Sequence, residues 1–230
     1  MKVDDYSCSK CVGEISEFIK YGKTCNGKQR YQCKRCKATS VLHFSYNAYK
    51  RNINHTIILF TKEGLGIRSM ARVLKISTTT LLKRIIKISD KIKIPALKFH
   101  QSYELDEMRI FIRKKTNPVW IVYAVDKITK QLTGFYIGKR NNKTLNAVVK
   151  TLVNSKAEKI YTDKLWNYKY LVPKEIHFTK KYATNGIERK NLNLRTHLKR
   201  LNRKTICFSR SSVILSSVLK IYFWSCNSFQ

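Results

Sequence analysis

The sequence predicts an α/β fold, a mixed sheet with flanking helices, set behind two small N-terminal modules. Three observations predict it. Strand-like runs rich in β-branched and aromatic residues crowd between positions 103 and 138, and helical and strand-like segments alternate after them. Residues 52–88 carry a helical pattern, and two C-x-x-C pairs fall within the first 40 positions. The divisions that follow are 1–45, 46–90, a linker at 91–101, and the α/β domain at 102–230.

Charge bounds the partner. Against 14 Asp and Glu stand 47 Lys and Arg, for a formal net charge of +33 in 230 residues. Basic residues run from Lys20 to Lys220, so the charge belongs to the whole chain and not to a tail. A polyanion is the natural partner, and double-stranded DNA is the expected one. A membrane is not expected: the most apolar late segment, 213–224, is too short to span a bilayer and contains Lys220. The start MKVDDYSC lacks the apolar run of a signal peptide. Four of seven cysteines sit in C-x-x-C pairs, which fits metal binding in a reducing compartment, so a cytoplasmic location is expected.

Cys8-x-x-Cys11 and Cys33-x-x-Cys36 are separated by 21 residues. Two thiolates three apart on a tight turn can share one zinc, and two such turns complete a tetrahedral site. The strand-like GKQRYQC leading into the second pair suits a zinc ribbon with a structural zinc. Four thiolates leave no open position for catalysis. Lys34, Arg35 and Lys37 place cations around the second pair, where they can meet phosphate. Cys25 reads as an unligated thiol, and His43 as a loop residue rather than a ligand.

In the second module, 54–63 reads as a helix ended by Gly64 and Gly66. Two more, 67–74 and 78–87, are joined by 75–77 with Ser77 as a cap. Ala71 is small where the pair would cross, and Leu74, Ile76 and Leu81 supply the apolar contacts. That is a helix-turn-helix pattern. The second helix would turn Thr78, Thr79, Thr80 and Lys83 toward a major groove. Arg68 and Arg72 add charge beside it. An ordinary three-helix bundle shares the apolar pattern, and the basic residues favour DNA binding. Pro95 breaks the basic stretch that follows.

Strands are expected at 103–113, 119–126 and 131–138, with links short enough for hairpins. A helix at 142–154, a strand at 159–162 ending at Asp163, a further strand at 176–178 and a helix at 182–201 complete the series. This is the order of an RNase H-like domain, in which the first and fourth strands lie side by side and Asp106 stands beside Asp163. In the last helix Ile187, Leu194, Leu198 and Leu201 form one apolar stripe, with Glu188 at its border and Arg195 two turns on. Thr184 and Asn185 offer capping oxygens, and Gly186 loosens the entry. An acid in the first turn is favoured by the helix dipole.

Acids are scarce, which makes the selection almost forced. After residue 127 only Glu158, Asp163, Glu175 and Glu188 remain, and Glu158 and Glu175 read as solvated surface. In the first strand Glu104 and Asp106 share one face and Glu107 takes the other. Asp126 suits a hairpin turn. Asp106, Asp163 and Glu188 are therefore the candidate catalytic carboxylates and the candidate ligands of Mg²⁺ or Mn²⁺. Phosphoryl transfer on DNA is well served by two hard cations held on two or three carboxylates.

LDE at 105–107, YTD at 161–163 and IERKNLNLRTHLKRLNRKTICFS at 187–209 resemble the transposases of the insertion-sequence IS-one family. QRYQCKRC and the helix-turn-helix are similar to that family's terminal-repeat-binding portion, so the resemblance covers roughly residues 6–209. It implies a D-D-E transposase with 24 residues between the second acid and the glutamate, the gap from Asp163 to Glu188. It implies binding to inverted-repeat ends, strand cleavage and strand transfer, and a homo-oligomer on DNA, since two ends must be joined. It also implies that Arg195 contacts DNA near the scissile phosphate. His177 reads as a strand histidine. Lys164 departs from the family's glycine, and Leu215 and Ser216 replace an expected polar, His-containing helix. Two rival readings are a catalytically decayed or regulatory DNA-binding protein of the same element, and a nuclease without strand transfer.

Overall fold

The structure, a computed structural model, describes residues 8–11, 17–25, 27–41, 46–180 and 183–225. His43, the N-terminal MKVDDYS and Tyr182, the expected start of the last helix, lie outside the described residues. The chain divides into two compact units, Met1–Tyr49 and Lys50–Gln230.

In the first unit β1 (Phe18–Lys23), β2 (Gln29–Cys33) and β3 (Thr39–Ser40) form an antiparallel sheet in that order. The register slips between Lys20 and Lys23, where Gly22 takes a positive φ of 66° that a side chain would resist. Phe18 pairs with Cys33, and both are buried against Cys8. A hydrophobic centre this small cannot hold a fold by itself, which leaves the cysteines to staple it.

The second unit opens with α1 (Ile53–Lys62), α2 (Ile67–Leu74) and α3 (Thr78–Lys91). Lys75, in the left-handed region at φ 52°, closes α2, and the Ser77 side chain accepts the Thr80 amide at 3.1 Å to start α3. Met70, Ala71, Ile76, Leu81 and Ile85 are buried between them. This is the expected helix-turn-helix, with its turn at the expected residues.

The α/β part follows as β4 (Ser102–Phe111), β5 (Pro118–Asp126), β6 (Leu132–Gly138), α4 (Asn142–Asn154), β7 (Lys159–Tyr161), α5 (Tyr168–Leu171), β8 (His177–Phe178), α6 (Asn185–His197) and α7 (Ser212–Trp224). The sheet order is β6-β5-β4-β7-β8. The first three strands pair antiparallel, and β7 and β8 are added parallel to β4. This is an RNase H-like mixed sheet, and its first and fourth strands are neighbours as expected.

Alternation along β4 sorts two cores. Met108, Ile110 and Ile112 pack with Ile187, Leu194, Leu198, Leu215 and Leu219 from α6 and α7. Tyr103 and Leu105 pack on the other face with Leu145, Val149, Leu152 and Tyr168 from α4 and α5. β5 is buried on both faces from Ile121 to Asp126, which explains its unbroken apolar run.

Two helix ends differ from expectation. α3 runs to Lys91, beyond position 87, because Ile88 and Ser89 are buried and the Ser89 hydroxyl meets that of Ser217 on α7 at 3.0 Å. The apolar stripe of 182–201 is shared between α6 and a short 3-10 turn, Lys199–Leu201. Leu198 breaks the helix at ψ 90°, yet Leu198 and Leu201 both stay in the core. The His197 carbonyl at this break faces Gly64, where φ is +71° and a Cβ would overlap that oxygen. Gly64 therefore ends α1 and also lets the α1–α2 turn lie against the end of α6. Among the described residues no helix is long and apolar enough to cross a membrane.

Candidate active site

β4 and β7 run parallel with Tyr103 opposite Ile160 and Glu104 opposite Tyr161, and there β7 ends. Between that point and the isolated parallel bridge of Ile112 with Ser209, β4 pairs with no strand on this edge among the described residues, and the notch receives Asp106 from one strand and Asp163 from just beyond the other. Carboxylate oxygens of Asp106, Glu107 and Asp163 lie within 4.8 Å of one another. The structure thus brings together two of the three expected carboxylates and adds Glu107. Alternation does put Glu107 on the opposite face, but at an open strand edge side chains from both faces can bend into the gap.

Each acid of the group is held differently. Asp106 Oδ2 accepts Asn191 Nδ2 at 2.6 Å, and Oδ1 accepts the Glu107 amide at 2.7 Å. Burial pushes the Asp106 carboxyl up to about 6, the charges of Glu107 and Asp163 push the same way, and the two hydrogen bonds oppose them. Glu107 is neutralised: Arg140 Nε donates to it at 3.0 Å and the Tyr168 hydroxyl at 2.9 Å. Burial first, then the Glu107 charge, holds the Tyr168 hydroxyl protonated as a donor. Asp163 is exposed and caps the backbone of Leu165 at 3.0 Å. Among the described residues no Lys, Arg or His forms an ion pair with Asp106 or Asp163.

Glu188 stands outside this group. It is exposed in the first turn of α6 and accepts the Thr184 hydroxyl at 3.3 Å. Asn191, three residues on and hence on the same helix face, is the residue that reaches Asp106. Glu188 is therefore one helical turn from a direct contact with the acidic group. Arg195 continues this face, half-buried, with its Nε lacking a hydrogen-bond partner. Burial lowers its pKa, and Arg203 adds to the effect.

What fixes α6 is Glu104. Its side chain is 1% exposed, a rare place for a carboxylate. It accepts the Ile187 amide at 2.7 Å and Lys130 Nζ at 2.9 Å, with Lys127 at 3.9 Å. The amide is one of the unsatisfied donors of the first helical turn, so the carboxylate both caps α6 and ties it to the sheet. A Cβ on Gly186 would sit 2.7 Å from Glu104 Oε2 and 2.8 Å from Lys130 Nζ. Glycine at this place is a matter of room for the latch. The other acids behave as expected: Asp126 caps the turn amides of Ile128 and Thr129, and Glu158 is exposed beside Lys159. His177 pairs with the Thr162 hydroxyl at 2.7 Å, and burial lowers its pKa.

Sequence reasoning did not find Arg140, Tyr168 or Asn191. Asn191 lies on the helix face of Glu188, a signal that was available. Arg140, in the loop before α4, and Tyr168, at the start of α5, reach Glu107 only through the packing of those segments against the sheet, and nothing local marks them.

In the first unit the sulfurs of Cys8, Cys11, Cys33 and Cys36 also lie within 4.8 Å of one another, with Cys8 and Cys36 at 3.5 Å. Ligands at ~2.3 Å around a tetrahedral zinc stand ~3.8 Å apart, so the set fits that ion. The Cys36 amide lowers the Cys33 thiol to about 7, while a hydrogen bond with Cys36 raises Cys11 to about 12. Cys25 is not in the cluster. On the helix-turn-helix Arg68, Arg72, Thr78, Thr79 and Lys83 are exposed. Thr80 is half-buried, its hydroxyl 2.8 Å from Ser77 Oγ.

An RNase H-like sheet with an acidic notch beside its first and fourth strands defines the class, and comparison with known proteins agrees. The model of the IS1 transposase family matches residues 101–229. The insertion element iso-IS1n protein InsB of Shigella dysenteriae is 39% identical over 116 residues, which cover 50% of this chain and 88% of that protein. The insertion element IS1 protein InsB of Shigella flexneri is 33% identical over 119 residues, covering 52% of this chain and 91% of that one. The HTLV-2 integrase catalytic core domain, solved with magnesium, aligns over 56% of this chain and 86% of its own. Its 14% identity and TM-score of 0.33 are too low to add to the topology. The chain belongs to the IS1 transposase family.

Two predictions follow from the geometry of α6 and β4. The folded pKa of Asp106, about 6, exceeds its ordinary value of 3.8, so between these pH values the native chain holds the extra proton. Stability then falls as pH rises through that window. At pH 7 without metal, Asp106→Asn is expected to be the more stable protein by about 3 kcal/mol, and near pH 4 the gain should largely vanish. Thermal unfolding at the two pH values measures this, and equal melting temperatures at pH 7 would refute it. Gly186→Ala, by forcing Glu104 and Lys130 apart, is expected to destabilise the domain by about 1–3 kcal/mol in denaturant unfolding.

Proposed function

We propose that this chain is a D-D-E transposase that binds the inverted ends of its element and catalyses metal-dependent cleavage and strand transfer. One observation carries the reading. In a chain of net charge +33, two aspartates stand within 4.8 Å of each other and of Glu107, and among the described residues no cationic side chain forms an ion pair with either. Lysines and arginines are abundant, so acids left without such a partner suit a cation from solution.

Asp106 and Asp163 would hold the cation, Mg²⁺ or Mn²⁺, and Glu188 would join them by rotating its side chain from the first turn of α6. Divalent ions there supply activation of the attacking oxygen and charge stabilisation of the leaving one. The chain's own groups do the placing. Asn191 orients Asp106, while Arg140 and Tyr168 keep Glu107 from adding a third full charge. In the first step water hydrolyses the phosphodiester at the element end and leaves a 3′-hydroxyl. In the second that hydroxyl displaces a target phosphodiester in line, and a 3′-hydroxyl of the target leaves. Arg195 would contact DNA near the reacting phosphate. The ribbon, with a structural zinc, and Arg68, Arg72, Thr78, Thr79, Thr80 and Lys83 would read the ends as parts of an oligomer. The rival is a decayed or regulatory DNA-binding protein of the same element.

Asp106→Ala, Asp163→Ala and Glu188→Ala are each expected to reduce strand transfer by at least a hundredfold while leaving end binding within twofold. Gel assays with end-sequence duplexes and Mg²⁺ decide it. Undiminished transfer in any variant removes that residue from the role, and wild-type protein that binds ends without cutting them favours the rival. Cys33→Ser is expected to lose zinc, seen by elemental analysis, and with it at least tenfold in end affinity.

A further inference from the structure

Beside the acidic notch the chain exposes two large aromatic rings that the chemistry above does not use. Trp166 is 62% exposed and Tyr170 is 71% exposed, with ring centroids 5.4 Å apart and planes tilted by 54°. Trp166 lies just before α5 and Tyr170 within it, three and seven residues past Asp163. Their exposure is not a fraying effect. Tyr168, between them, is fully buried with its hydroxyl on Glu107, and Val172 is buried in the same core. The Asn167 amide is bonded to Asn142 at the start of α4, and the Leu165 backbone is bonded to Asp163. One turn of helix is thus pinned on its inner side and shows two rings on its outer side.

Cations frame the pair. Lys164, Lys169 and Lys174 are exposed, and among the described residues none of them is in an ion pair. Adjacent exposed aromatics mark a binding surface, and a surrounding positive charge selects a polyanion over an apolar partner. Rings interleaved with lysines form the surface on which unpaired bases stack while the backbone follows the charge. A duplex offers no free base face along its length. Its strand offers one where a base pair opens, and the neighbouring acids locate that opening.

We propose that Trp166 and Tyr170 form a stacking platform for an unpaired DNA base next to the phosphate held at Asp106 and Asp163. The proposal rests on the transposase reading for the position of that phosphate. The platform holds open the base pair that flanks the cut, and so favours ends that are already unpaired there.

The test uses the full chain, Ca²⁺ in place of Mg²⁺, and end-sequence duplexes carrying 2-aminopurine beside the cleavage position. Wild-type protein is expected to change the 2-aminopurine fluorescence as the base unstacks from DNA and stacks on the ring. Trp166→Ala with Tyr170→Ala should abolish that change and weaken binding of an oligonucleotide with unpaired terminal bases about tenfold, the loss of one stacked base. Trp166→Phe should retain most of both. Melting temperature should not move, since the rings are exposed. Unaltered fluorescence and affinity in the double variant overturn the platform. A change in sedimentation of the free protein, with DNA binding intact, overturns it in favour of a contact between chains. Asp106→Asn separates the two readings: full cleavage by that variant sinks the active-site reading, whereas the 2-aminopurine signal reports the rings alone.

Discussion

Glu104 is a carboxylate taken out of water at the centre of a cationic protein, and α6 is tied to the sheet through it. The charge is tolerated because two donors, the Ile187 amide and Lys130, converge on it, and the Lys127 ammonium stands 3.9 Å away. Removing any one would leave a buried charge short of partners, so the arrangement sets the start of α6 within narrow limits. Gly186 is the complement of this latch, since any side chain there would occupy the volume of the pairing groups. From the same helix Asn191 reaches Asp106 and Tyr123 at once, which fixes the helix in rotation as well as in position.

The acidic notch depends on that placement and on a second constraint, the shortness of β7. A longer parallel neighbour would cover the edge of β4 and keep Asp106 and Glu107 on opposite faces. Because the pairing stops at Tyr161, their oxygens and that of Asp163 meet. Three carboxylates this close repel one another, and the protein answers them unequally. Glu107 receives Arg140 and Tyr168, while Asp106 receives only neutral donors and is driven up toward neutral pH. That inequality leaves Glu107 paired with a cation and Asp106, among the described residues, without one.

The helical part is continuous with this core. Ser89 meets Ser217 across α3 and α7, and the α1–α2 turn rests against the end of α6 through Gly64. A cation-rich helix-turn-helix and the acidic notch therefore belong to one compact unit, Lys50–Gln230. Their contacts run through α7 and the end of α6.

Much was decided by local chemistry and so was readable along the chain. Cysteine spacing set the four-sulfur cluster, Ser77 started its helix by capping, and β-branched runs named the strands. The scarcity of acids after residue 127 pointed to Asp163 and Glu188, and of these Asp163 joins Asp106 and Glu107 in the acidic group. Tertiary structure decided what depends on where an element stops and what it packs against. The end of β7 admitted Glu107, the contact with α7 lengthened α3, and the packing of the loop before α4 and of α5 delivered Arg140 and Tyr168. Glu188 shows the boundary between the two kinds of knowledge: its place on the first turn of α6 follows from the sequence, but its distance from the aspartates is set by the latch at Glu104. Periodicity and spacing act within a few residues, whereas a site joined across strand edges is fixed by packing between segments far apart in the chain.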